Sequence, residues 1–129
     1  MAHAAHAYGA YKRAMIATSG PRALEAEAFE RINAELRQAQ RSREQNYPAF
    51  VAALSRNSRL WTILAADVAD DANALPRDTR IAIWRLSAFV RCHTQKLLQP
   101  NSAAPIDPLL AINLDMIAGL RAKKAGTGA

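Results

Sequence analysis

Apolar side chains recur along this chain at steps of three and four residues, the repeat of one face of an α-helix. The clearest run lies in residues 48–71. There Phe50, Leu54, Asn57, Trp61, Leu64 and Val68 follow one another at steps of 4, 3, 4, 3 and 4, which keeps all six in one narrow stripe. Residues 4–18 space Tyr8, Tyr11, Met15 and Thr18 in the same way. Residues 21–43 put Ala28, Phe29, Ile32, Leu36 and Ala39 on one side. Glu25 and Glu27 lie toward the start of that segment and Arg37, Arg41 and Arg43 toward its end, both favourable to a helix dipole. Residues 108–123 carry Leu109, Ile112, Asn113, Met116, Ile117 and Leu120 on one wide face. Residues 76–98 differ, because they are apolar on two sides. Ile81, Trp84, Ala88 and Cys92 form one face, and Ile83, Leu86, Val90 and Leu97 nearly the opposite one. A helix of that kind sits centrally in a bundle, with or without one face kept for a partner.

Proline and glycine divide these segments. Pro21, Pro48, Pro76 and Pro108 are each expected to open a helix, since a first-turn N–H has no intrahelical partner to lose. Ser19 or Gly20 is expected to cap the second segment and Asp107 the last. Residues 99–108 read as a proline-containing linker. No segment alternates as a strand would, and no repeat or low-complexity block occurs. The pattern therefore predicts an all-α, single-domain bundle of about five helices, with a helical domain over 4–122 and a flexible basic tail over 123–129.

Composition sharpens this picture. The chain has 129 residues and half are apolar, but 29 of them are Ala, with 3 Val and 5 Gly in all. Ala favours helix and scarce β-branched residues disfavour sheet. The net charge of +6 and pI near 10.1 permit a nucleic acid or an acidic partner. One Cys excludes an internal disulfide framework and a Cys-based zinc site. The most apolar run, residues 60–66, is far shorter than the ~20 residues of a membrane span. No secretory signal is expected, no membrane insertion, and a cytoplasmic location.

Catalytic raw material is poor. His3 and His6 lie near the N-terminus, and the neighbours Cys92 and His93 diverge on a helix, so no Cys–His pair forms. Cys92 reads as a small buried hydrophobe. Asp67, Asp70 and Asp71 are expected to be solvated or paired with Arg59, Arg77 or Arg80. There is no Gly-rich phosphate loop, nucleophile elbow or HExxH. We expect no catalytic, metal or cofactor site, and a protein that is not an enzyme.

The polar intruders Asn57 and Asn113 are more informative. A buried amide without partners costs about 1–3 kcal/mol. Each either caps a helix end or bonds a backbone carbonyl in the core, or the two line a groove for a partner segment. Trp61 and Trp84 divide in the same way between core packing and interface anchor. The basic residues are dispersed, with no aromatic platform between them, which favours a partner-facing surface over base reading.

Taken in order, these marks resemble the FlaF family of bacterial flagellar biosynthesis regulators, over about residues 4–120. Asn57, Leu60, Trp61, Leu64, Asp67 and Val68 follow its N-x-x-L-W-x-x-L-x-x-D-hydrophobic pattern. Asn73, Leu75, Pro76 and Arg80 follow N-x-L-P-x-x-x-R, with Thr79 where the family would carry an aliphatic residue. Pro108, Leu109, Ile112 and Asn113, then Ile117, Gly119 and Leu120, follow its closing P-L-hydrophobic-x-I-N and G-L. The resemblance implies a cytoplasmic factor needed for flagellin production or export. It would be a chaperone-like protein that binds flagellin and promotes its synthesis and secretion. Alternatively it would regulate flagellin translation, on the mRNA directly or through FlbT. Asn57, Trp61, Asn73, Arg80, Trp84 and Asn113 are the candidate partner-binding residues.

Overall fold

The structure, a computed structural model, describes residues 21–127, with side chains described for 26–122. The segment 4–18, the histidines His3 and His6 and the caps Ser19 and Gly20 lie outside the described residues. Four helices follow in order: α1 (Pro21–Arg41), α2 (Tyr47–Ala69), α3 (Arg77–Leu97) and α4 (Asp107–Thr127). Among the described residues there is no strand, and no helix is long and apolar enough to cross a membrane.

The cross-links between helices show their directions. Glu35 of α1 pairs with Arg56 of α2, and Phe29 meets Trp61 edge-on at 5.4 Å, so α1 and α2 run antiparallel. Glu30 pairs with Arg121 of α4, while Asn33 reaches Leu110 and Asn113, so α1 and α4 are antiparallel too. Ser87 donates to the Trp61 carbonyl at 3.3 Å and Ser58 to Thr94 Oγ1 at 3.3 Å, which sets α3 antiparallel to α2. α1 packs chiefly on α4 and α2, and α2 on α3, whereas α3 and α4 meet only at their margin. The core fills the space between, built on Phe29, Leu36, Phe50, Leu54, Trp61, Val90, Leu97 and Leu109.

The helix ends follow from local chemistry. Asn46 caps α2 by accepting the Ala49 N–H at 3.2 Å, with Pro48 in the first turn. Pro76 does not open α3 from within but stands at its cap, and its carbonyl accepts from Arg80 N. Asp107 likewise is the first residue of α4 rather than its cap, and the carbonyl of Ile106 takes the first backbone N–H groups. An acidic residue there still favours the helix dipole. Between α3 and α4, Ser102 N bonds the Gln99 carbonyl across Pro100 and Asn101, and Asn101 has φ of 58°. Proline followed by a left-handed residue is the type II turn, and Asn tolerates that conformation better than most side chains. α4 continues to Thr127, into the segment read as a tail, because Ala and Lys are good helix formers.

Arg43, in the link from α1 to α2, ties two ends together. Its guanidinium lies 4.3 Å from the centre of the Phe50 ring. It also donates to the Leu97 carbonyl at 3.4 Å, the last turn of α3, where positive charge is favoured.

Leu54 has no exposed surface, while Ile81 keeps 36% of its own. Leu54→Ala should therefore cost about 3 kcal/mol by urea unfolding. Ile81→Ala should cost less than about 1 kcal/mol. Equal losses at the two positions would contradict this packing.

Candidate functional site

The six candidate residues divide into two groups. Asn57, Trp61 and Asn113 meet in the interior, and Asn73, Arg80 and Trp84 cluster at the outside, around the α2–α3 turn.

In the interior, the Trp61 indole N–H donates to Asn113 Oδ1 at 2.9 Å. Asn113 Nδ2 donates to Asn57 Oδ1 and to Asn33 Oδ1, both at 2.8 Å. Asn33 Nδ2 then donates to the Leu110 carbonyl at 3.2 Å. The three amides are at most 1% exposed. The groove role considered for Asn57 and Asn113 does not match this placement, since their oxygens and the Asn113 amino group are engaged inside the bundle. Nor does either cap a helix: they bond one another and the indole. Asn57 Nδ2 is buried with no hydrogen-bond partner. The pattern reading missed Asn33, although its steps of 4 from Phe29 and 3 to Leu36 place it in the α1 stripe.

Outside, the α2–α3 turn is built from side chains that copy backbone. Asp70 Oδ1 accepts from Ala72 N at 2.9 Å, and Asn73 Oδ1 from Leu75 N at 3.0 Å. Asn73 Nδ2 also donates to the Asp67 carbonyl at 3.1 Å. Arg80 is one of three arginines, with Arg59 and Arg77, offered by the sequence as partners of Asp67, Asp70 and Asp71 where these are not simply solvated. It goes instead to backbone: Nε donates to the Val68 carbonyl at 2.7 Å and Nη2 to the Asp70 carbonyl at 2.9 Å. The last carbonyls of a helix lack intrahelical donors, and a cation there also offsets the dipole. Asn73 and Arg80 thus close α2 and aim the start of α3.

This junction leaves a cleft of about 520 Å³, lined by Val68, Ala69, Arg77, Arg80, Ile81, Trp84 and Arg85. Trp84 is 52% exposed. Of the two apolar faces of α3, the one with Ile83, Val90 and Leu97 is buried and the one with Ile81 and Trp84 is turned outward. Cys92 belongs to that outer face and is exposed, not buried as its apolar neighbours suggested. A periodic pattern with two apolar sides does not say which is inside. Beside this face, Phe89 stacks on His93 at 5.7 Å. His93 Nε2 lies 2.7 Å from the Pro105 carbonyl and must be the donor there, because a carbonyl only accepts.

Asn113→Leu would strand the indole N–H and two amide oxygens, and should cost about 3 kcal/mol or more in urea unfolding. Arg121→Ala removes an exposed ion pair and should change stability by less than about 1 kcal/mol. A mild Asn113→Leu would show that the amides do not act as drawn.

No curated protein and no solved structure matches the chain. The family model described as "Flagellar protein FlaF" matches residues 7–120, all but the first six and last nine positions. That match takes in α1, α2 and α3 whole and α4 as far as Leu120, together with the α2–α3 turn and the interior amides, and the chain belongs to the FlaF family.

Proposed function

We propose that the protein works in flagellum biogenesis as a cytoplasmic, chaperone-like factor that binds flagellin and promotes its synthesis and secretion. Family membership supports a flagellar role. The observation that carries the finer reading is the outward apolar face of α3, with Trp84 half-exposed beside the cleft. A large aromatic side chain left in water next to a concave apolar surface fits the anchor of a helix-in-groove interface. The helical terminal segments of flagellin are the client of that shape.

Purified flagellin titrated into the protein in a calorimeter should give heat, and the two should co-elute. Trp84→Ala should weaken the complex about tenfold or more, with the thermal midpoint unchanged because the side chain is not in the core. Absence of both heat and co-elution would remove the reading.

The charge of +6 favours a second reading, post-transcriptional control of flagellin mRNA, directly or through FlbT. It requires a complex with the flagellin leader RNA whose affinity falls steeply with salt. Gel shifts that show no preference for that leader over an unrelated RNA of equal length would dismiss direct recognition.

A further inference from the structure

We infer that the cleft at the α2–α3 junction takes an amphipathic helix carrying carboxylates on both sides of an apolar ridge. This names the chemistry of the client and rests on the protein-binding reading above. The walls supplied by Val68, Ala69, Ile81 and Trp84 are apolar, and the charged residues lining the cleft are Arg77, Arg80 and Arg85. Arg80 is half-buried and committed to the Val68 and Asp70 carbonyls. Its charge mainly answers the end of α2. Arg77 and Arg85 are exposed and supply the charge offered to a ligand.

Their placement is specific. They stand eight residues apart, or ~12 Å along α3 at the usual helical rise. Ile81 lies four residues from each, and midway between them around the helix. Trp84 stands beside it, one turn along. A helix laid along α3 would meet the two guanidinium groups with acidic side chains about two turns apart. It would press a large aliphatic side chain against Ile81 and Trp84 between them. Arginine suits carboxylate because its fork of donors matches the two oxygens.

Other occupants fit less well. A single-stranded nucleic acid would use the arginines, but successive bases need π faces, and among these walls only Trp84 has one. A second copy of the chain would bring like charge against like, given the +6.

The test uses the full chain and three designed helical peptides of about 18 residues. The first has a Leu ridge flanked by Glu two turns apart, the second has Lys in place of Glu, and the third has Ala in place of Leu. Binding is read by calorimetry and by the change in tryptophan emission, which reports Trp84 because Trp61 is only 1% exposed and keeps its surroundings when the cleft fills. The first peptide should bind, and the other two about tenfold or more weakly. In the double variant Arg77→Glu, Arg85→Glu the preference should reverse toward the Lys peptide, with an unchanged thermal midpoint. That reversal separates recognition from damage to the fold.

Equal binding of the Glu and Lys peptides overturns the inference, as does binding of neither. So does a single-stranded RNA that binds more tightly than the Glu peptide and depends on Trp84, or a Trp84 signal that follows protein concentration alone. Flagellin is measured in parallel. If it binds the wild type and the double variant equally, the cleft assignment fails and the flagellin reading stands. If the Glu peptide binds with the predicted reversal and flagellin does not, the cleft stands and the flagellin reading fails.

Discussion

The Trp61 indole nitrogen carries a proton and offers no lone pair, so whatever faces it in the core must accept. The group that does so is Asn113 Oδ1. With its oxygen committed, the amino group of Asn113 points at Asn33 and Asn57, which can answer only with their oxygens. Asn33 then has its own amino group to place, and the Leu110 carbonyl on α4 receives it. One donor thus orients three amides on three helices. It also joins α2 to α4, which lie diagonally across the bundle and whose backbones do not come close. Sliding α4 by one residue would turn Asn113 about 100° away and strand the indole. The unpartnered Asn57 Nδ2 costs about 1–3 kcal/mol. An all-apolar core would avoid that cost, but would specify the register less sharply.

Much of this architecture can be read from spacing alone. The six-residue stripe of α2 is buried from Phe50 to Val68, because a single apolar face on a helix leaves only one way in. Asn57 and Asn113 stand out as intruders for the same reason. Their meeting is not legible, since it depends on how two distant helices cross. Asn33 was within reach of the same periodicity, but a polar residue between Ile32 and Ala34 draws less notice than one inside a long stripe. On α3 the pattern reached its limit. Two apolar faces are symmetrical to a count of periods, and Cys92 fell on the outer one. The destination of Arg80 was hidden for a different reason. Charge in a sequence suggests carboxylates, whereas the backbone carbonyls at a helix end become acceptors only once the helix exists.

The positive charge also looks different once placed. Arg43 and Arg80 serve as closures for α3 and α2. Arg56 and Arg121 are paired with Glu35 and Glu30. These four guanidinium groups are already engaged within the fold, so a count of basic residues overstates the cations open to an outside partner, while the net charge of +6 is unchanged by such pairing. Arg31, Arg37, Arg59 and Arg91 are exposed elsewhere on the surface, and Arg77 and Arg85 differ from them in lying beside an apolar face. The two tryptophans mark the same division. One organises the interior, and the other is half-exposed beside the cleft.

The amide network passes through α1, α2 and α4 and leaves α3 out. That helix is held by α2 and barely touches α4, and half of its buried residues, Ser87, His93 and Thr94, are polar. Its seat on α2 is therefore mixed, with Ile83, Val90 and Leu97 as the buried apolar part. Local opening of a bundle favours elements with few buried apolar contacts, and α3 rests chiefly on one neighbour. The helix that presents Trp84 is then the element whose position a bound client could adjust at the smallest energetic penalty.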